Sequence, residues 1–400
     1  MKVLIADRLS EKVISSLKSL GMEVKVVLDL KPEDLTAAID DSDILIVRST
    51  RVTAQTVEKA RNLSLIVRAG AGVNTIDVGA ANARGIYVSN CPGKNTDAVA
   101  ELAIGLLISA DRQIVNAATD LRKSLWKKKE YGKARGLKGR TLGIIGFGAI
   151  GKAVAKRAQG LEMKVAAWSR SLTPEKAEAF GVGYLPDITS LAHQSDAVSI
   201  HIVYKSDTYH LINMSFLNEM RDHAVLINTS RGEVVDTLAL KEAIRTKKLR
   251  VGMDVFEDEP SGADAQFKDQ ELADLITATP HIGASTDQAS EAISDEVVGI
   301  VKSFQETGVA LNATNIRRRS PVAKSLVVRH FNRVGVIARV LNDLRISNIN
   351  VEEMTNIVFE ASNAACCTLL LDSPPSAETL YHISSDSDVI EVTLKTLLQS

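Results

Sequence analysis

Short runs of β-branched and other apolar residues alternate with helix-patterned segments along most of this 400-residue chain. That alternation restricts the fold more than any other feature. "KVLIAD" (2–7), "EVKVVL" (23–28), "ILIVRS" (44–49), "LIVRAG" (65–70) and "IYVSN" (86–90) read as buried parallel strands. Segments between them, such as "SEKVISSLKSLG", read as helices, with Ser10 as cap and Gly21 as stop. Strands joined in this order by helical crossovers make a doubly wound sheet.

A second series starts at "TLGIIGFGAIG" (141–151). It continues through "KVAAW", "AVSIHI" (197–202), "AVLINT" (224–229), "VGMDVF" (251–256) and "LITATPHI" (275–282). A second doubly wound unit is therefore expected. "NTDAVAELAIGLLISADRQIVNAA" reads as one long helix between the two, capped by Asn95 or Thr96. From Arg317 the pattern changes. "RRRSPVAK", with Ser320 and Pro321, reads as an exposed linker. After it "SLVVRHF", "VGVIARVLNDLRI", "VEEMTNIVF", "AACCTLLLD", "SAETLYHISS" and "VIEVTLKTL" give the order βαββαβ, a ferredoxin-like unit of ~80 residues.

Composition excludes several classes. With 45% hydrophobic and 24% charged residues the chain reads as globular. A net charge of −1 gives no reason to expect nucleic acid or an anionic membrane as partner. The basic runs 127–129 and 317–319 are short and read as solvated surface. "MKVLIADRLS" enters a strand directly, so no signal peptide is expected. "AELAIGLLISA" is broken by Glu101 and followed by Asp111, too short and polar to span a bilayer. The three cysteines, Cys91, Cys366 and Cys367, make neither a disulfide framework nor a metal-ligand spacing. The cytoplasm is the default compartment.

"GFGAIG" supplies Gly146, Gly148 and Gly151 between an apolar strand and a helix that opens at Ala149 and Ile150. In that setting a dinucleotide pyrophosphate can approach the backbone and sit at the helix N-terminus. At the end of the following strand an Asp or Glu would bond the ribose hydroxyls of NAD. Here stand Ser169 and Arg170. Serine removes the repulsion of a 2′-phosphate, and a guanidinium suits it in charge and geometry. A charge-assisted bond is worth ~1.5–3 kcal/mol and ~1.4 kcal/mol is tenfold. A preference for NADP of roughly 10- to 100-fold is within reach of these two positions, whereas an Arg170 lying in solvent leaves NAD in use.

"NTSRGEVVD" (228–236), "GMDVFEDEP" (252–260) and "TPHIGAST" (279–286) each bring one functional type to a strand's carboxyl end, where open sheets bind ligands. Arg231 can hold a carboxylate by two parallel bonds. His281 can pass a proton to a developing alkoxide near neutral pH. Glu259 can bond the far side of that imidazole and fix its tautomer.

With these blocks in view, residues 40–310 resemble the D-isomer-specific 2-hydroxyacid dehydrogenases, whose signature blocks are "LGIIGFGAIG", "NTSRGEVVD", "MDVFEDEP" and "PHIGAST". The resemblance implies Arg231, Glu259 and His281 as the catalytic set. It implies a cofactor site of the glycine loop, Ser169, Arg170, Thr229 and Gly283, with Asp254 on the nicotinamide carboxamide. It also implies a split substrate domain, 1–97 and 286–316, around a nucleotide domain, 98–285. "VRSTRVT" (47–53), "VRAGAGVNTID" (67–77) and "CPGKNT" (91–96) resemble the substrate segments of the phosphoglycerate-oxidising branch. Arg48, Ser49, Ala71, Gly72, Val73 and Asn95 then fall beside a small-molecule substrate. Glyoxylate and hydroxypyruvate reductases share part of this pattern, and a non-enzymatic nucleotide sensor shares the fold.

Residues 324–400, after a linker at 317–323, resemble an ACT regulatory module, which binds amino acids between paired copies. "RHFNRVGVIARVL" (329–341) matches its first strand, turn and helix, although Val334 stands where the module usually has proline. The match puts His330, Asn332 and Asn350 on the serine-binding positions of feedback-inhibited members. L-Serine as effector and a homo-oligomer, dimer or tetramer, are the corresponding expectations.

Overall fold

A computed structural model describes residues 1–28, 30–39, 41–260, 265–317, 324–360 and 363–396. The chain divides into two compact units, Met1–Asn315 and Ile316–Ser400. The expected linker residues Ser320 and Pro321 lie outside the described residues.

The first unit contains two parallel sheets. One is built of β1 (Lys2–Ile5), β2 (Glu23–Val26), β3 (Ile44–Val47), β4 (Leu65–Arg68) and β5 (Tyr87–Asn90), in the order β2-β1-β3-β4-β5. Every pairing is parallel. All four residues of β3, Ile-Leu-Ile-Val, are buried, as a central strand covered on both faces requires. The helix Glu11–Ser19 starts as its sequence dictates, Ser10 accepting the Lys12 N–H. The chain leaves this sheet after β5 and returns much later. Ile293, Val297, Ile300 and Val301 of the helix Asp287–Thr307 pack with Val3, Ile5, Ile44, Ile46 and Leu65.

The other sheet holds β6 (Thr141–Ile145), β7 (Lys164–Trp168), β8 (Gly183–Tyr184), β9 (Ala197–Ile200), β10 (Val225–Asn228), β11 (Arg250–Met253) and β12 (Thr277–Ala278). Their order is β12-β11-β10-β9-β6-β7-β8. In such sheets ligands bind beyond the carboxyl ends of the strands where the order reverses. Those points are β1/β3 in the first sheet and β6/β9 in the second. No helix among the described residues is long and apolar enough to cross a membrane.

Two local expectations are corrected. The long helix is broken into Thr96–Arg112 and Ile114–Arg122, with Gln113 between them in the left-handed region at φ 52°. The cause is Asp111, only 1% exposed. Its carboxylate accepts from Arg140 at 2.8 Å and from the Gly136 N–H at 3.1 Å, while its own carbonyl accepts from Arg250. The last helical turn is thereby tied to the sheet, and the chain beyond it must change direction. The strand read at 275–282 shrinks to Thr277–Ala278, because the Thr279 and His281 amides turn to the carbonyls of Met253 and Asp254.

The second unit is the antiparallel sheet of β13 (Lys324–Phe331), β14 (Val351–Val358), β15 (Ala364–Leu371) and β16 (Val389–Thr396), in the order β14-β15-β13-β16. The helices Val336–Ile346 and Ala377–Ser385 connect it in the order βαββαβ. Leu326, Val328, Val340, Leu344, Cys367, Leu369 and Ile383 form its core.

Candidate functional site

The β6/β9 switch point carries the glycine loop. Gly146 follows β6 at φ +95°, and a Cβ there would lie 2.3 Å from the His201 carbonyl oxygen. A Cβ on Gly151 would lie 2.1 Å from the Gly146 oxygen. Gly148 is different: a Cβ there meets nothing within 4 Å. Gly148 is also the N-cap of the helix Ala149–Gly160 and offers no side-chain cap. The first N–H groups of that helix, at Ala149 and Ile150, thus lack an intrahelical acceptor beside open space. Two glycines close the turn, and the third leaves room where a pyrophosphate fits. At the end of β10 the Thr229 hydroxyl is buried with no partner among the described residues.

Ser169 and Arg170 follow β7. Arg170 Nη1 donates to Asp207 Oδ2 at 2.7 Å, the two side chains being 59% and 57% exposed. An ion pair so exposed contributes ~0.2–1 kcal/mol. Asp207, on the loop after β9, was not among the residues singled out from the sequence.

His281 stands at φ +51°, in the left-handed region that few non-glycine residues adopt and that histidine tolerates better than most. Its amide donates to the Asp254 carbonyl at 2.8 Å, which fixes this turn. The ring Nδ1 lies 2.7 Å from Glu259 Oε2, leaving Nε2 as the atom available to a ligand. Glu259 Oε1 accepts the Phe256 N–H at 3.0 Å. Burial alone would push the Glu259 carboxyl up; the His281 hydrogen bond and charge outweigh it and hold the group below the usual carboxylate range. Asp254, 1% exposed, accepts from Thr279 Oγ1 at 2.7 Å and from the N–H groups of Ile282 and Gly283, each at 2.8 Å. Burial raises its pKa, against the pull of these donors. In this structure the Asp254 carboxylate is the anchor of the 279–283 segment that carries His281.

Arg231 lies on a turn shaped by Asn228, whose side-chain oxygen accepts from Ser230 N at 3.0 Å and whose amide donates to the Arg231 carbonyl at 2.9 Å. The Arg231 guanidinium reaches the first sheet: a Cβ on Gly72 would fall 2.5 Å from its Nη2. Gly72, in the segment Ala71–Val73, is thereby beside Arg231, and Asn90 Nδ2 donates to the Ala71 carbonyl at 2.6 Å.

Two residues of this site escaped the sequence reading. Asp7, just past β1, accepts from the N–H groups of Arg48 (2.7 Å), Ser49 (3.1 Å) and Thr50 (3.0 Å) and from the Ser49 hydroxyl (2.8 Å). Ser49 therefore serves to shape the turn that presents Arg48. An acid following the first strand at the β1/β3 switch point was the signal. Arg68, the last residue of β4, folds against Gly70, and its Nε is buried without a partner among the described residues. Burial, then the charges of Arg231 and Arg48, lower its pKa to about 10. The Arg68 guanidinium thus lies in the field of Arg231 and Arg48, with Asp7 acting against them. Asn95 precedes the helix Thr96–Arg112 and its side chain makes no capping bond.

In the second unit, His330 is 2% exposed on β13. Its Nδ1 lies 2.8 Å from the Phe331 carbonyl and its Nε2 3.3 Å from the Asn356 side-chain oxygen, so the ring is engaged within its own sheet. Asn332 and Asn350 lie in exposed positions at the ends of the strand–helix connections.

Comparison with known proteins bears on the first unit. Residues 104–283 match the model of the D-isomer specific 2-hydroxyacid dehydrogenase NAD binding domain. The chain is 38% identical over 320 residues to a D-3-phosphoglycerate dehydrogenase of Methanocaldococcus jannaschii, covering 79% of this chain and 60% of that one. It is 41% identical over 283 residues to a hydroxypyruvate reductase of Thermotoga maritima, covering 70% of this chain and 90% of the relative. A structure of NAD+-bound 3-phosphoglycerate dehydrogenase from Entamoeba histolytica superposes with a TM-score of 0.67 at 28% identity, over 80% of this chain and 99% of that one. With so much of a relative matched at that identity, the chain belongs to the D-isomer specific 2-hydroxyacid dehydrogenase family.

Proposed function

We propose that this protein is a nicotinamide-dinucleotide-dependent dehydrogenase whose substrate is a phosphorylated D-2-hydroxy acid, 3-phosphoglycerate, oxidised to 3-phosphohydroxypyruvate. The observation that carries the reading is the convergence of Arg68, folded over Gly70, and Arg231, lying over Gly72, with Arg48 in their field. Cations that act on one another, with Asp7 opposing them nearby, are unfavourable alone and favourable around an anion. A phosphate monoester carries about −1.5 to −2 at pH 7, and with its carboxylate the substrate nearly balances them. Glyoxylate, with a single carboxylate, leaves the cluster undercompensated.

In this reading Arg231 grips the carboxylate by two parallel bonds and polarises the adjacent C2–O bond. His281 Nε2 takes the hydroxyl proton on oxidation and returns it on reduction. Glu259, on the far side of the ring, fixes the tautomer and stabilises the imidazolium that forms. Asp254 positions the turn bearing His281, and Asp7 the turn bearing Arg48. Ala149, Ile150 and the space over Gly148 would hold the cofactor pyrophosphate, with Thr229 offering its hydroxyl. The bound dinucleotide supplies the hydride acceptor for C2.

A second reading, reduction of hydroxypyruvate or glyoxylate, draws support from the 41% identity to a hydroxypyruvate reductase. A non-enzymatic nucleotide sensor would have no use for the His281–Glu259 pair. Assaying 3-phosphohydroxypyruvate, hydroxypyruvate and glyoxylate, each with NADH and NADPH, separates them. The phosphorylated substrate is expected to have a kcat/KM at least ~10-fold above the others, since one added charge-assisted contact is worth that much. Equal efficiencies would favour the second reading.

The βαββαβ unit, with its resemblance to ACT modules, supports an amino-acid effector. Strand β14 is an edge with Met354, Ile357 and Val358 exposed, which suits pairing of two copies into a homo-oligomer. Exposed Asn332 and Asn350 are the contacts we assign to such an effector, and His330 the support beneath them. Millimolar L-serine is expected to inhibit, with Asn350→Ala relieving inhibition. Calorimetry without heat and unchanged kinetics would leave the unit an oligomerisation module only.

A further inference from the structure

We propose that Asp207 sets the balance between the two nicotinamide dinucleotides, by holding Arg170 and opposing a 2′-phosphate. The proposal rests on the reading of the β6/β9 switch point as a dinucleotide site. The adenosine ribose of such a cofactor binds at the end of the strand after the glycine loop. That strand is β7, and its end carries Ser169 and Arg170. The carboxylate that these two positions lack is supplied from another strand: Asp207 follows β9 and meets Arg170 at 2.7 Å.

Asp207 is held on a braced turn. It lies in the single helical turn Ser206–Thr208. The Thr208 hydroxyl, 7% exposed with its residue, accepts the Lys205 N–H at 2.7 Å and donates to the Val203 carbonyl at 2.9 Å. Beyond it the His210 amide donates to the Glu233 carbonyl at 2.9 Å, and the His210 ring lies 2.5 Å from Glu257 Oε1 and stacks on Tyr209 at 3.9 Å. The turn is therefore fixed at both ends, and its acid is presented to Arg170 by a supported backbone.

The consequence is electrostatic. A free Arg170 would attract a 2′-phosphate. Paired with Asp207, its charge is partly offset, and the incoming dianion also meets a carboxylate that repels it. A ribose 2′-hydroxyl carries no charge and suffers no such opposition; it can donate to a carboxylate. Asp207 thus takes back the NADP preference that Ser169 and Arg170 alone would give.

The test is binding, so that it does not depend on turnover. Trp168, the last residue of β7 and directly before Ser169, is the fluorophore placed to read nucleotide binding. NADH and NADPH are titrated into the full chain and into Asp207→Asn, Arg170→Gln and the double variant, with calorimetry of ADP and 2′,5′-ADP alongside. Removing one unit charge at this range changes affinity on the order of 10-fold. Asp207→Asn is expected to tighten NADPH and 2′,5′-ADP by about that factor, leaving NADH and ADP within ~2-fold. The gain should be smaller in the Arg170→Gln background, where only the direct repulsion of the carboxylate is relieved, and should shrink as salt is raised. Equal changes for both nucleotides, or a gain undiminished without Arg170, would overturn the proposal while leaving the dinucleotide site intact. No binding of either nucleotide by the wild type would instead overturn the site itself.

Discussion

Replacing His281 by alanine is expected to lower kcat by ~10²–10⁴-fold, the usual contribution of a positioned general acid–base group, while NADH still binds. The expectation follows from how the ring is held. Its backbone is fixed at φ +51°, its Nδ1 is 2.7 Å from Glu259, and Nε2 alone is left to face a ligand. In the proposed reading dinucleotide affinity depends on the glycine loop, which His281 does not build. Steady-state rates and NADH titration on one preparation make the test. Turnover near that of the wild type would remove His281 from the mechanism. Glu259→Gln complements it through pH. The Glu259 carboxyl is held below its ordinary 4.5 by its contact with His281, so it is ionised throughout the neutral range. Its stabilising effect is present in full above pH about 4.5 and is lost as pH falls through the depressed value. Wild type and Glu259→Gln should therefore differ in stability at neutral pH and converge below pH about 4.5.

Sequence pattern carried the architecture because parallel strands covered on both faces must be nearly continuous in apolar residues. β3, β4 and β10 are legible for that reason alone. The glycine loop was legible because only glycine tolerates the contacts at positions 146 and 151. The features that escaped depend on contacts far apart in the chain. Gln113 reads as an ordinary helix residue, and its left-handed backbone follows from Asp111 meeting Arg140 and Arg250. Asp7 acts 41 to 43 residues away, on Arg48 to Thr50. Asp207 finds Arg170 across 37 residues. Local sequence pointed to the strand ends that carry the candidate site residues, but not to the side chains of other strands that meet them. Arg68 was hidden by its position as a strand's last residue, where a solvated cation is the ordinary expectation.

Arg68→Met is expected to cut kcat/KM for 3-phosphohydroxypyruvate by about 10- to 150-fold and to change that for glyoxylate by no more than ~3-fold. Loss of charge-assisted contacts worth ~1.5–3 kcal/mol gives that range. Methionine keeps an unbranched stem in the buried space and removes the charge. A purely structural arginine would behave differently, and stability provides the second readout. Burial and the neighbouring Arg231 and Arg48 lower the Arg68 pKa from 12.5 to about 10, so the folded state opposes its protonation. A base with a depressed folded pKa costs stability at all pH below that value, and the cost fades only as pH rises through it. At neutral pH the variant should therefore unfold no more readily than the wild type, while added phosphate stabilises the wild type more. A variant that unfolds more easily and loses both substrates equally would make Arg68 a packing residue and withdraw the cation cluster as the reason for a phosphorylated substrate.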